Sequence, residues 1–287
     1  MERYVDLHVH SRHSDGVLSP TELVAMAAGK GLRAIGLADH DAVAGIDEAL
    51  EAGIRYDVEV VPAVELSVEF RGFSDVHLLG YYIDYRDPEF LDKLRDFCER
   101  RDTRGRAILE KINARLLHEG RAQIDTEEVL AAAEGALGRP HIARALMARG
   151  YVTGMNDAFK RYLEPCNVPK RFFPMDEALA EIRRIGGVAV LAHPTSITTD
   201  RSQLRSCVGE LAGMGLRGIE AYNNMCIEDD ANFLERIARE FGLAVTGGSD
   251  FHGIEADVEM GSGRGNLAIG YHVVTALQTL RSYDAAV

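Results

Sequence analysis

The chain has 287 residues, 46% of them hydrophobic, with a net charge of −13 and a pI near 5.2. That is enough apolar material for one large domain, or for one domain that carries an insertion. The acidic balance excludes long non-specific duplex binding, which depends on broad basic surfaces, but it is compatible with a small phosphorylated substrate, because metals and a few arginines offset charge locally. Cys98, Cys166, Cys207 and Cys226 form no C-x-x-C pair, so neither a disulfide framework nor a thiolate zinc site is expected. No apolar run reaches the roughly 18 residues of a membrane helix, and a strand pattern follows Met1-Glu2-Arg3-Tyr4 directly, without a signal-peptide pattern. The expectation is a soluble, cytoplasmic protein with no membrane partner.

In chain order, Tyr4–His8 reads as a first strand. Ser19-Pro20-Thr21-Glu22 is a capping box with proline at the first helical position, so a helix should run to about Lys30. Ala34–Leu37 reads as a strand, Val43–Ala52 as a helix, and Val58–Val64 and Val76–Tyr82 as two more strands. The rhythm then changes. From Pro88 to Glu119 the pattern is a long charged helix, followed by helical patterns over Thr126–Ala133, Pro140–Arg149 and Asn156–Leu163, with no good strand among them. Alternation resumes with a helix over Met175–Ile185, a strand over Val188–Ala192, a helix over Ser202–Ala212, a strand over Gly218–Ala221, a helix over Asp229–Phe241 and a strand over Leu243–Thr246. Strands that alternate with helices in this way predict an α/β barrel, here split by an all-helical insertion. The expected division is 1–85 and 172–287 for the barrel and 86–171 for the insertion.

The chemistry sits beside the apolar runs. His8 and His10 close the first strand, where the period of two points both imidazoles the same way, and Asp15 follows after a short polar turn. Asp39-His40-Asp41 follows the second run and Glu65 the third. His77 opens Leu78-Leu79-Gly80, His193 follows Val188–Ala192, and Asp250 and His252 follow Ala244–Gly248. Any one of these alone reads as a strand cap. Together, six of the ten histidines and three carboxylates at such positions read as a metal centre, because C-terminal strand ends carry the working residues of such barrels. Imidazole and carboxylate donors without thiolate suit manganese, iron or zinc. Nine donors are too many for one ion, so two or three ions would share them.

These residues, His8-x-His10, Asp15-Gly16, Asp39-His40, Glu65, His77, His193-Pro194 and Ser249-Asp250-x-His252, resemble the polymerase-and-histidinol-phosphatase (PHP) family of metallophosphoesterases. The resemblance implies a distorted (β/α)7 barrel with a trinuclear metal site. It assigns His8, His10, Glu65 and Asp250 to one ion, Asp15, His40 and His193 to a second, and His77 and His252 to a third, with Glu65 bridging. Arg100–Arg104, Gly138-Arg139-Pro140-His141 and Phe159–Leu163 narrow the resemblance to the subgroup acting on nucleotide phosphates: 3',5'-nucleoside bisphosphate phosphatases and short-oligonucleotide 5'→3' exonucleases. Where typical members carry a glycine-rich turn, this chain has Glu164-Pro165-Cys166-Asn167.

Clustered divalent ions, manganese first among the candidates, would activate water for in-line attack on phosphorus. The chain has neither a phosphate-binding P-loop nor a G-x-S-x-G nucleophile. Asp15, His193 and a metal-bound water are the candidates for the leaving-group proton. Arg101 and Arg104, three apart on one helical face, with Arg139 and His141, are candidates for a second phosphate, and Asn223 for a substrate hydrogen bond. The glycine cluster Gly261–Gly265 lacks the context of a phosphate loop and reads as a surface loop. The expected substrate is a nucleoside bisphosphate or a short oligonucleotide. A histidinol-phosphate phosphatase and a non-catalytic polymerase-associated module are the competing readings.

Overall fold

The computed structural model describes residues 4–131, 137–169 and 173–284. The chain opens with β1 (Val5–Val9), α1 (Pro20–Gly29), β2 (Ala34–Leu37) and α2 (Ile46–Tyr56), then the paired strands β3 (Glu59–Phe70) and β4 (Phe73–Tyr81). A helical stretch follows: α3 (Pro88–His118), α4 (Thr126–Ala131), α5 (Arg139–Ala148), α6 (Met155–Ala158) and a π-helical turn over Phe159–Leu163. Alternation returns with β5 (Phe173–Pro174), α7 (Met175–Arg184), β6 (Val188–Leu191), α8 (Arg201–Met214), β7 (Gly218–Tyr222), α9 (Glu228–Phe241), β8 (Ala244–Gly247) and α10 (His272–Asp284). The expected helix over Thr126–Ala133 is present as α4; Ala132 and Ala133 lie outside the described residues. The Ser19 box forms as the sequence predicts: its hydroxyl accepts from the Glu22 amide, and the Glu22 carboxylate accepts from the Ser19 amide.

One sheet runs β1-β2-β3-β4-β6-β7-β8, with β5 paired to β3 off that path. A parallel bridge between Val9 and Phe251 brings the segment after β8 against β1, so the sheet curls into a nearly closed barrel. This is the expected α/β architecture, with one departure from a parallel barrel. β4 is antiparallel to both β3 and β6. The reason is local: β3 and β4 are joined by the tight Arg71-Gly72 turn, where both residues take positive φ (50° and 79°), and a connection that short can join only antiparallel strands.

Two apolar layers hold the barrel. Val5, Leu7, Ala34, Ala63, Leu79, Tyr81, Val188 and Val190 come from five different strands and form one cluster with Val273, Val274 and Leu277 of α10. Only the enclosed face of the sheet brings such strands together, so α10 plugs the end of the barrel where the parallel strands begin. The larger cluster lies outside the sheet, where α1, α2, α7, α8 and α9 cover it. The long α3 belongs to two regions. Phe90 and Leu94 pack with the barrel's outer cluster, whereas Ile108, Leu109, Ile112 and Leu116 pack with α5 and the π-helical turn in a separate core.

Candidate metal centre

β1 starts the site. Its register against β2 shifts between Asp6 and Val9, and such an irregularity breaks the strict alternation of a strand. Leu7 therefore joins the interior cluster while its neighbour His8 reaches Glu65, also on the enclosed side. Gly16 and Gly248 let the chain close around this strand. A Cβ on Gly16 would lie 2.3 Å from the His10 carbonyl oxygen, and one on Gly248 would lie 2.2 Å from the His8 Cβ.

Glu65 is the hub. It is fully buried. One carboxylate oxygen lies 3.4 Å from His8 Nε2, 3.3 Å from His10 Nε2 and 2.8 Å from His40 Nδ1. The other lies 3.0 Å from His77 Nδ1 and 3.0 Å from His193 Nε2. Asp250 Oδ1 sits 3.1 Å from His10 Nε2 and 3.5 Å from His8 Nε2. Asp15 meets His252 at 3.2 Å and His40 at 3.8 Å. All nine sequence-nominated donors thus converge.

Three donor groups have ligand atoms within 4.8 Å of one another: His8, His10, Glu65 and Asp250; His10, Asp15, His40 and His252; and His40, Glu65 and His77. The first is the set that the resemblance assigns to one ion. The other two overlap it and each other through His10, Glu65 and His40. His252 stands with Asp15 and His40, and His193 stands 3.2 Å from His77. Sequence order carries no information on which strand ends are adjacent, and the barrel's curvature sets that pairing.

The charge state fits a cation. Burial opposes ionisation of Glu65, Asp15 and Asp250, yet the surrounding imidazoles hold each carboxylate well below its ordinary range. Burial, with the positive charge of His252 beside it, pushes His10 down to about 3. Burial also opposes charge on His252, but Asp15 and Asp250 overcome it and lift that group to about 10. A surplus of negative charge here recruits a proton, and a divalent ion would serve the same need more strongly. His8 Nε2, His10 Nδ1 and Glu65 Oε2 are buried without a hydrogen bond of good geometry. Buried polar atoms are normally satisfied, so orphans that point into one space among imidazole and carboxylate donors fit metal coordination.

A second layer fixes these residues, and its two central members, Asp6 and Glu220, carry no sequence signal. Fully buried Glu220 takes His8 Nδ1 at 2.9 Å and the His193 amide at 2.8 Å. That contact leaves His8 Nε2 directed at the centre. Asp6 accepts from the amides of His8 (3.3 Å), Ser249 (2.8 Å) and Gly261 (2.7 Å). The Gly261–Gly265 loop, expected at the surface, is therefore anchored beneath the site at its first residue. Asp39 accepts from Ser11 and Ser14, and Asp41 from Ser67. His193 (φ 27°), Asp250 (φ 53°) and Asp41 (φ 50°) all hold positive φ. L-residues adopt that conformation at a cost, typically where a site over-determines it. Period-two patterning finds ligands but not their supports, since Asp6 and Glu220 look like ordinary strand residues.

The substrate candidates divide. Arg104, Arg139 and Phe159 line a cavity of about 150 Å³ together with the donors Asp15, His40 and His77. Arg104 donates to the Val168 carbonyl at 2.7 Å and to Asn167 Oδ1 at 2.8 Å, which pins its fork, and Arg139 lies over the Phe159 ring at 5.3 Å. The Arg101 side chain lies outside the described residues. His141 accepts from the Gly138 amide at 3.0 Å and caps its own helix. Asn223 is fully buried, and its side chain is engaged within its own turn, with Oδ1 accepting from the Met225 amide and Nδ2 donating to Cys226 Sγ. Arg144 carried no sequence signal; it donates to the Asp15 carbonyl at 3.2 Å and ties α5 to a ligand loop.

Comparison with known proteins agrees with this geometry. The PHP domain model matches residues 6–165. The chain is 34% identical to a 5'-3' exoribonuclease of Haemophilus influenzae over 88% of its own length and 91% of the relative's. It is 32% identical to a 3',5'-nucleoside bisphosphate phosphatase of Chromobacterium violaceum over 86% of its length and 87% of the relative's. The solved structure of a Bifidobacterium adolescentis protein assigned as a metal-dependent phosphoesterase superposes with a TM-score of 0.84 at 28% identity, covering 96% of both chains. The chain belongs to the PHP domain family.

Proposed function

We propose that the chain removes the 3'-phosphate from 3',5'-nucleoside bisphosphates and, by the same bond cleavage, releases 5'-mononucleotides from short 5'-phosphorylated oligonucleotides. The coarser activity rests on family membership and the converging donors: the chain is a metal-dependent phosphoesterase. The observation that carries the finer reading is the cavity in which Arg104 and Arg139 share walls with Asp15, His40 and His77. It offers guanidinium groups to a phosphate that does not react, beside donors for the one that does. A planar guanidinium suits such a phosphate. The names of the two relatives, a bisphosphate phosphatase and an exoribonuclease, support the same pair of substrates.

Two or three divalent ions, with manganese the first choice, fit the donors His8, His10, Asp15, His40, Glu65, His77, His193, Asp250 and His252. When bound they acidify water and neutralise phosphoryl oxygens. Glu65 spans the donor groups and sets their spacing. Glu220 and Asp6 hold the His8 ring and backbone in register. Water oxygen bonds to phosphorus, the P–O3' bond breaks, and O3' takes a proton, with His193 the side chain assigned to that transfer; the Asp15 carboxyl, held well below its ordinary range, is ionised and serves as a donor to the ions. Residues 86–171 act as the substrate cover, with Phe159 as a base platform and Arg104 and Arg139 as the 5'-phosphate clamp. Asn223 supports the turn after β7 and has no assigned contact with substrate.

The test, with Mn(II) supplied, is phosphate release from adenosine 3',5'-bisphosphate, AMP and histidinol phosphate, and 5'-mononucleotide release from a short 5'-phosphorylated oligonucleotide. Release from the bisphosphate that leaves 5'-AMP, with little action on AMP itself, is the expected result. A preference for histidinol phosphate overturns the role given to the arginines.

A further inference from the structure

Two cavities meet at His40. One is the Arg104–Arg139 cavity described above. The other, of about 520 Å³, shares His40 with it and none of its other lining residues, so it leaves the donor cluster in a different direction. Its size falls within the range of about 300–1,000 Å³ common for small-molecule sites. Its walls are mainly apolar: Val43, Leu91 and Leu94, with Tyr85 on one side. Its carboxylates and arginines are paired, and the His13 imidazole also stands in its wall. Asp47 accepts from the Tyr85 hydroxyl at 2.8 Å and from Arg86 at 2.6 Å, Asp41 accepts from Ser67, and Arg95 pairs with Asp92 at 2.9 Å.

We propose that this groove is the subsite for the second nucleoside of an oligonucleotide, the one joined to the scissile phosphate through its own 5'-oxygen. The proposal rests on the phosphoesterase reading above and extends it. In a 3',5'-bisphosphate the scissile phosphate carries three terminal oxygens besides O3'. In an oligonucleotide one of those oxygens continues into the next nucleoside. With the first nucleoside beside Phe159 and the scissile phosphate at the donors, the next must leave the centre in another direction. The groove has one donor, His40, in its wall, and presents an aromatic ring and aliphatic walls. An uncharged nucleoside suits its largely apolar walls better than a second phosphate does. The apolar walls and the Tyr85 ring make stacking and shape the main means of recognition, and the subsite accepts all four bases with similar affinity.

The test compares kcat/KM for a 5'-phosphorylated dinucleotide and for the matching 3',5'-bisphosphate, in the Mn(II)-loaded protein and two variants. Ala44 is exposed and lines the groove, so Ala44→Trp fills it without removing a core contact, and Tyr85→Ala removes the aromatic wall. The expected result is a fall of about tenfold or more in the dinucleotide-to-bisphosphate ratio for Ala44→Trp, with a smaller fall for Tyr85→Ala. An unaltered ratio in both variants, with both substrates still cleaved, overturns the subsite and leaves the phosphatase reading standing. If the wild-type protein cleaves neither substrate, the phosphatase reading fails. Equilibrium binding of the dinucleotide then decides the groove by itself: weaker binding to Ala44→Trp keeps it, and equal binding overturns it.

Discussion

At the donor centre, His8, His10, Asp6, Glu65 and Glu220 are fully buried, and each is held by groups from other strands. In the helical cover, Arg100, Arg106 and Arg161 pair with acidic partners while 46%, 50% and 42% exposed. The first region binds charge where water cannot compensate, so a missing partner leaves a buried charge unsatisfied. The second spreads charge over solvent, where each pair contributes at most about 1 kcal/mol. The centre should therefore tolerate almost no change, whereas the cover can vary and still fold, and so is the region suited to setting substrate choice.

The largest effect tests the hub. Glu65→Ala should lower kcat/KM more than any change in the surrounding layer, by more than about a hundredfold. It should also lower bound metal, measured by elemental analysis. Full metal content with full activity would remove Glu65 from the centre. Glu220→Gln should weaken metal affinity by about 10–100-fold, read by metal titration, because it disturbs the orientation of His8 while leaving every donor in place. If affinity does not change, the support layer is dispensable and the contrast with the cover loses its basis.

The cover comes next. Arg104→Ala should raise KM for a bisphosphate by about tenfold and alter KM for a simple monophosphate ester far less. Equal effects on both would place Arg104 in the scaffold alone, through its bonds to Asn167 and Val168. The smallest effect lies where the two regions join. Arg184 of α7 pairs with Asp87, which caps α3, and with Glu181. The Arg184 pairing and the Phe90 amide hold the Asp87 carboxyl at about 2. A carboxyl lowered on folding adds stability above its unfolded value of 3.8, and that contribution is lost as pH falls through about 2. Asp87→Asn should thus be slightly less stable than wild type to urea at pH 7, and the gap should close between about pH 4 and 2. A gap of constant size would assign the effect to packing.

Much of the centre was legible because ligands obey local rules. His8 and His10 follow strand periodicity, and His40, His193 and Asp250 stand where an apolar run ends. His77 precedes its run for a reason visible only in the fold: β4 is antiparallel to its neighbours, and His77 lies at its middle, not at a tip. Glu65 lies inside a twelve-residue strand, not at its tip. Asn223 looked like a strand-end contact and is a turn residue, because a polar side chain after a strand serves either purpose equally well by sequence. Arg144 gave no signal, since contact with a backbone carbonyl from a distant loop has no periodicity.

The sequence by itself determined the donor set, the alternation of strands and helices, and the helical interruption between β4 and β5. These follow from residue type and short-range spacing, which fix side-chain direction within one element. Tertiary structure alone decided which donors lie together, that Glu220 and Asp6 support them, that α3 belongs to two cores, and that His40 lines two cavities. Each of these depends on how strands far apart in sequence close around a common space, and local periodicity does not record that closure.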